Sequence, residues 1–176
     1  MSDGLDLASL IRDGDTVAWT TAAAEPLHLL RLMDEQLDRM PRATVFMGVP
    51  TLYVRMLAEP SLTPQACAHM RLFIAGSAPL LLETFEEWQK RTGHTILERY
   101  GMSETIMLTS NPYQADSRYQ GQAERRGGTV GFPLPGVELR ICDDQGQPVG
   151  TDEVGGIQVR GPNVFGGYWR MPEKTA

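Results

Sequence analysis

Cysteine is scarce in this chain. Its 176 residues hold two, Cys67 and Cys142, too few and too far apart for a disulfide framework. Neither has neighbours spaced like metal ligands, and a reducing cytoplasm is the expected compartment. Positive charge is also short. Sixteen Lys and Arg stand against 22 Asp and Glu, the formal net charge is -6, and Lys and Arg never run beyond a pair. A nucleic-acid surface is therefore not expected. No apolar run reaches the roughly 18–20 residues of a membrane helix, and the N-terminus lacks the basic-then-apolar layout of a signal peptide. No internal repeat or low-complexity tract is present.

What remains is ordinary globular material. Hydrophobic residues make up 41% of the chain and charged residues 22%, and the length suffices for a real core. From residue 43 the pattern alternates between strand and helix. Strands are expected over 43–47, 71–75 and 95–99, and helices over 51–57, 64–69 and 81–91. Thr63 and Pro64 suit a helix start. Leu81, Phe85 and Trp88 share one side of the third helix, and Gly93 ends it in the left-handed position. Such alternation implies parallel pairing. Residues 110–128 read as a polar surface loop. Short strands over 137–142 and 157–160 follow, with a turn at Asp144-Gln145-Gly146 between them, and residues 171–176 begin another helix. Trp88 and Trp169 read as core residues. His28, His69 and His94 are assigned no catalytic role.

The fold class expected is α/β: part of a mostly parallel sheet with flanking helices, then a small β-rich subdomain. The expected divisions are an atypical segment over 1–40, an α/β part over 41–127 and a β-rich part over 128–176. Within the first segment, short helices are expected near residues 5–11 and 26–37, with a strand over 16–21.

One stretch concentrates chemistry: Tyr100-Gly101-Met102-Ser103-Glu104. Tyr100 offers a flat face to a purine, and Gly101 lets backbone approach a phosphate. Ser103 can donate to a phosphate oxygen, and Glu104 can hold the Mg²⁺ that travels with ATP. Taken alone, the motif is also a strand end followed by a turn with a capping serine. In open parallel sheets, ligands sit beyond the carboxyl ends of strands. Gly76-Ser77-Ala78-Pro79 follows one expected strand and the Tyr100 motif follows another, so both turns are expected to converge on one crevice.

Five segments occur in the order found in the AMP-forming acyl-CoA synthetases of the adenylate-forming superfamily. They are Met47-Gly48-Val49-Pro50-Thr51-Leu52-Tyr53-Val54-Arg55, Arg71-Leu72-Phe73-Ile74-Ala75-Gly76-Ser77-Ala78-Pro79-Leu80, the Tyr100 motif, Gly128-Thr129-Val130-Gly131-Phe132-Pro133-Leu134-Pro135-Gly136-Val137, and the run from Gly155 to Trp169. From about residue 41 onward the chain resembles that family, and within it most resembles the bacterial malonyl-CoA synthetases. The resemblance implies that Gly76, Ser77, Ala78 and Pro79 lie along adenine and the acyl group, with Tyr100, Gly101 and Met102 completing the nucleotide site. Ser103 and Glu104 would be catalytic, with Glu104 on Mg²⁺. The family more often has Thr where Ser103 stands, and the hydroxyl is kept. Arg55 and Ser77 would grip the second carboxylate of malonate or a methyl-substituted malonate, a charge too costly to bury unpaired. ATP would yield an acyl-adenylate and pyrophosphate, and coenzyme A would then displace AMP.

The resemblance also implies parts this sequence does not contain: a Gly/Ser/Thr-rich phosphate loop ending in Lys, the His-containing segment before the malonate site, a Thr-Gly-Asp for the ribose, and a C-terminal domain with a catalytic Lys. The 176 residues alone are accordingly expected to show little or no synthetase activity. Residues 11–17 and 24–26 resemble the opening of an acyl-CoA hydrolase/CoA-transferase subunit, which would make the chain a fusion joined near residues 39–41. The alternative functions are thus a non-catalytic nucleotide-binding module, or a passenger beside a CoA-transferase-like N-terminus. A sheet cut from neighbouring strands has open edges, so self-association is expected.

Overall fold

The computed structural model describes residues 44–114 and 124–175. The helices and strand expected before residue 41, the proposed join at 39–41 and His28 lie outside the described residues. The remainder forms two compact units that divide between Glu98 and Arg99.

In the first unit, β1 (Val45–Gly48), β2 (Leu72–Ala75) and the opening residues of β3 (Ile96–Met102) pair in parallel. The register sets Gly48 beside Ala75, and Ala75 beside Glu98. Successive strand residues face opposite ways. Phe73, Ala75 and Ile96 turn to one core; Leu72, Ile74 and Leu97 join Val45 in another.

Helix α1 (Pro50–Leu57) starts one residue past β1. Pro50 occupies its first turn, where the missing N–H is no loss. Tyr53, Met56 and Leu57, spaced three and four apart, pack on the first core. Helix α2 (Leu82–Thr92) buries Thr84, Phe85, Trp88 and Thr92 and stops at Gly93, whose φ of 78° is the left-handed conformation expected. Trp88 is fully buried, with the Tyr53 and Phe73 rings edge-on at 4.9 and 5.0 Å. That arrangement favours aromatic pairs beyond the area they bury. The Tyr53 hydroxyl donates to the Ile74 carbonyl at 2.7 Å, and burial pushes its pKa far up.

Two expectations fail in this unit. Residues 64–69 form a succession of turns, although Thr63 Oγ1 does accept the Ala66 N–H at 3.2 Å, as a cap would. Within it the bonds are those of turns, such as Ala68 N–H to the Gln65 carbonyl, and the chain just before it is held by the Arg91 guanidinium, which donates to the carbonyls of Leu57, Glu59 and Leu62. Leu81 is exposed because it is the extended residue before α2, outside the helical stripe.

In the second unit, the rest of β3 pairs antiparallel with β4 (Ile106–Ser110), which pairs antiparallel with the two-residue β5 (Phe132–Pro133). The five strands run in the order β1-β2-β3-β4-β5, so the sheet is mixed, parallel over its first three strands. Strands β6 (Glu138–Cys142) and β7 (Gly156–Arg160) form a separate antiparallel pair, with Glu138 and Arg160 joined by an ion pair at 2.5 Å. Asp143 Oδ1 accepts the N–H groups of Gln145 and Gln147, closing the turn expected at Asp144-Gln145-Gly146. The helix expected at the C-terminus is a single 3-10 turn, Pro172–Lys174.

Three further expectations are corrected here. Strand β4 carries chain beyond the motif that was read without a strand. Ser110 ends that strand, and Asn111 and Pro112 are buried, so the surface loop does not begin at 110. Asn111 accepts the Arg126 N–H at 3.2 Å and donates to the Thr129 carbonyl at 2.7 Å. Trp169 is 83% exposed, with the Arg170 guanidinium 5.5 Å from its ring centroid.

Candidate active site

The parallel strands of the first unit deliver two groups to one edge. At the carboxyl end of β1 the chain turns into α1, and at the carboxyl end of β2 it enters Gly76-Ser77-Ala78-Pro79. Arg55 sits on α1 off the stripe formed by Tyr53, Met56 and Leu57, and is exposed. No ion pair or hydrogen bond of its side chain occurs among the described residues. Ser77, Ala78 and Pro79 are exposed and Gly76 is buried. Ser77 adopts φ 67°, a conformation costing a non-glycine residue about 1–3 kcal/mol and concentrated at functional sites.

The turn leaving β2 is anchored by a residue that the sequence reading left without a role. Glu98 is 4% exposed, and its carboxylate accepts the Leu80 N–H at 3.0 Å. Burial raises its pKa, with the Leu80 hydrogen bond acting in the opposite direction. A carboxylate inside the apolar run Ile96-Leu97-Glu98 was the available signal.

In the second unit the motif is built differently from expectation. Tyr100, Gly101 and Met102 do not form a loop after a strand; they belong to β3, with a bulge between Tyr100 and Gly101. The turn is only Ser103-Glu104-Thr105, closed by Thr105 N–H donating to Met102 O at 3.1 Å. Gly101 has a structural reason of its own: a Cβ there would lie 1.8 Å from the Ile106 carbonyl oxygen. Tyr100 and Glu104 are half-buried and Ser103 is exposed. Ser77 and Tyr100 belong to different units.

A strap 56–64 positions later in sequence closes on the turn. Phe165 N–H donates to Glu104 O at 2.8 Å. Asn163 Nδ2 donates to the carbonyls of Thr105 and Met107 at 2.8 and 3.2 Å. Tyr168 donates its hydroxyl hydrogen to Glu104 Oε1 at 2.5 Å. That bond holds Glu104 below the ordinary carboxylate range and raises the phenol. The sequence gives neither Asn163 nor Tyr168 a role beyond lying in the run from Gly155 to Trp169. Nothing local marks either one, because their partners are so far away along the chain.

Among the described residues, no three His, Cys, Asp or Glu gather as a metal cage. Mg²⁺ needs none where phosphates supply part of its shell, since it commonly takes one or two carboxylates and keeps several waters. An ionised, accessible Glu104 fits that donor set. Hollows in the second unit are lined by Glu138, Arg140, Gln158 and Arg160 on the β6–β7 pair, and by Gly166, Trp169 and Thr175; neither includes Ser103 or Glu104. No described helix is long and apolar enough to cross a membrane.

Comparison with known proteins bears on the class directly. The chain belongs to the AMP-binding enzyme family, which it matches over residues 7–169. That span includes most of the first 40 residues, which their resemblance to a CoA-transferase had set apart. A probable CoA ligase of Humulus lupulus is 42% identical over 140 residues, 75% of this chain and 22% of the relative. Among solved structures, ATP-bound MatB from Rhodopseudomonas palustris shares 56% identity at a TM-score of 0.72, covering 81% of this chain and 27% of that one. A malonyl-CoA ligase with methylmalonyl-CoA and AMP bound shares 40% identity at a TM-score of 0.66, covering 82% and 30%. The chain therefore spans between 22% and 30% of these proteins' lengths.

Proposed function

We propose that the chain carries part of the active site of an AMP-forming acid–thiol ligase that activates malonate or a methyl-substituted malonate. In the reaction, a carboxylate attacks the α-phosphate of ATP, giving an acyl-adenylate and pyrophosphate. The sulfur of coenzyme A then attacks the acyl carbon and AMP leaves. Such chemistry rests on positioning and on neutralising charge at phosphorus. In this reading Gly76, Ser77, Ala78 and Pro79 border adenine and the acyl group, Tyr100 stacks on the purine, and Gly101 and Met102 complete the wall. Ser103 donates to phosphate, and Glu104 ligates Mg²⁺. The domain division proposed is the one at residues 127 and 128 within a single large domain. A reducing cytoplasm suits its two buried free thiols, and self-association through sheet edges belongs to the same reading.

One observation carries the choice of a diacid. Arg55 is an exposed cation with no described partner, on the helix that leaves β1 at the edge where β2 delivers Ser77. A carboxylate that stays ionised after its twin is activated requires such a partner. Calorimetry with Mg·ATP, AMP, malonate and acetate tests the reading. Nucleotide should bind, malonate should bind better than acetate, and Arg55→Gln should weaken malonate alone. Losing a charged hydrogen bond is worth about 1.5–3 kcal/mol, or roughly tenfold to a hundredfold in affinity. Equal affinities for malonate and acetate, or no nucleotide binding, would overturn it.

A further inference from the structure

The strap over the Glu104 turn does more than close a loop. Phe165 and Asn163 fix the backbone at Glu104 and just after it through the carbonyls of Glu104, Thr105 and Met107. With the backbone held, the carboxylate orientation is still free to vary. Tyr168 removes that freedom by donating to Oε1 at 2.5 Å, within the range of a charge-assisted O–H···O⁻ bond. Tyr168 engages Oε1 alone, and an ionised carboxylate has further lone pairs with which to meet a cation.

Tyr168 is itself held in place. Its ring meets Phe165 edge-on, with centroids 4.8 Å apart at 82°. Its N–H donates to Thr175 Oγ1 at 3.0 Å, and that hydroxyl in turn donates to the Met171 carbonyl at 3.0 Å. Gly167 before it adopts φ 136°, and a Cβ there would lie 2.4 Å from Thr175 Cγ2. A donor braced in this way presets the carboxylate, as outer partners of metal-ligating groups do.

We propose that Tyr168 is a positioning residue that orients the Glu104 carboxylate for the Mg²⁺ of a bound magnesium–nucleotide. The assignment of Mg²⁺ to Glu104 rests on the function proposed above; the orientation of the carboxylate by Tyr168 does not.

Tyr168→Phe keeps the ring and its contact with Phe165 and removes only the hydroxyl. Two measurements on the 176-residue chain test the proposal. The first is the side-chain carboxyl ¹³C resonance of Glu104 at fixed neutral pH, assigned with Glu104→Gln. The second is calorimetric ATP affinity with and without Mg²⁺. Expected are a displaced Glu104 resonance, an unchanged Mg²⁺-free ATP affinity, and a Mg²⁺-dependent gain reduced by about 10–100-fold, the usual cost of removing an outer partner. An unmoved resonance would overturn the proposal. So would tighter Mg²⁺-dependent binding, which would mean that the phenol competes with the cation. If the unaltered chain binds no magnesium–nucleotide, the proposed function fails, and the resonance alone decides whether Tyr168 orients Glu104.

Discussion

Glu98 Oε1 accepts the backbone N–H of Leu80 at 3.0 Å, so a buried carboxylate ties β3 to the turn that leaves β2. Glu98→Ala strands that N–H, an omission worth about 1–3 kcal/mol. Glu98→Gln keeps an acceptor and should cost less. Burial raises the Glu98 pKa. A carboxyl raised in the native state contributes stability that is complete below its unfolded value and is lost as pH climbs through its native one. Unfolding free energy should therefore fall as pH rises out of the ordinary carboxylate range, and Glu98→Gln should flatten that fall. Urea titrations between pH 4 and pH 8, within about the range where carboxyls and histidines titrate, would contradict this if the two slopes coincide.

Gly101→Ala should disturb the β3–β4 turn whatever the chain binds. Its new methyl would meet the Ile106 carbonyl oxygen at 1.8 Å, and the obstacle is backbone. Overpacking of this kind costs about 1–3 kcal/mol or more. Amide exchange at Met107 and Leu108 should quicken in the variant relative to Leu72 and Phe73. Unchanged protection of β4 would refute the close approach.

The first unit should depend on Trp88 more than on any polar contact. Trp88→Ala opens a cavity between Tyr53 and Phe73 and should cost about 3–5 kcal/mol. Tyr53→Phe removes only the hydrogen bond to Ile74 and should cost about 0.5–1.5 kcal/mol. Denaturant midpoints ranked in the opposite order would show that the aromatic cluster is not the main support.

Arg55→Gln should be nearly silent in stability, within about 0.5 kcal/mol, because the side chain is exposed and makes no described ion pair. Set beside a weakened malonate affinity, that silence separates a ligand contact from a packing role. A large drop in melting temperature would assign Arg55 to the fold instead.

Local signals made much of the first unit legible. Leu72-Phe73-Ile74-Ala75 is a continuous apolar run, and Phe85, Trp88 and Gly93 mark the buried face and the end of α2. Strand β4 was not legible, because Ile106-Met107-Leu108 follows the turn directly and its last residue, Ser110, reads as loop. Its first residue, Ile106, is 72% exposed and adopts φ 57°, unusual for a β-branched side chain. Residues 64–69 carried a true cap at Thr63, yet they close only turn bonds, and the chain just before them is held by Arg91 from another element, which no local pattern encodes. The Tyr100 motif was legible through its resemblance, but its support was not. Asn163 and Tyr168 act across 56–64 positions, beyond the reach of any periodicity.

The late position of the strap has a consequence during synthesis. Glu104 leaves the ribosome 64 residues ahead of Tyr168, which at about 5–20 residues per second is roughly 3–13 s. Throughout that interval the nascent turn has neither the Asn163 clasp nor its phenol donor. The carboxylate acquires its fixed aim only once Tyr168 has emerged, so translation itself sets the earliest moment at which this corner can be finished.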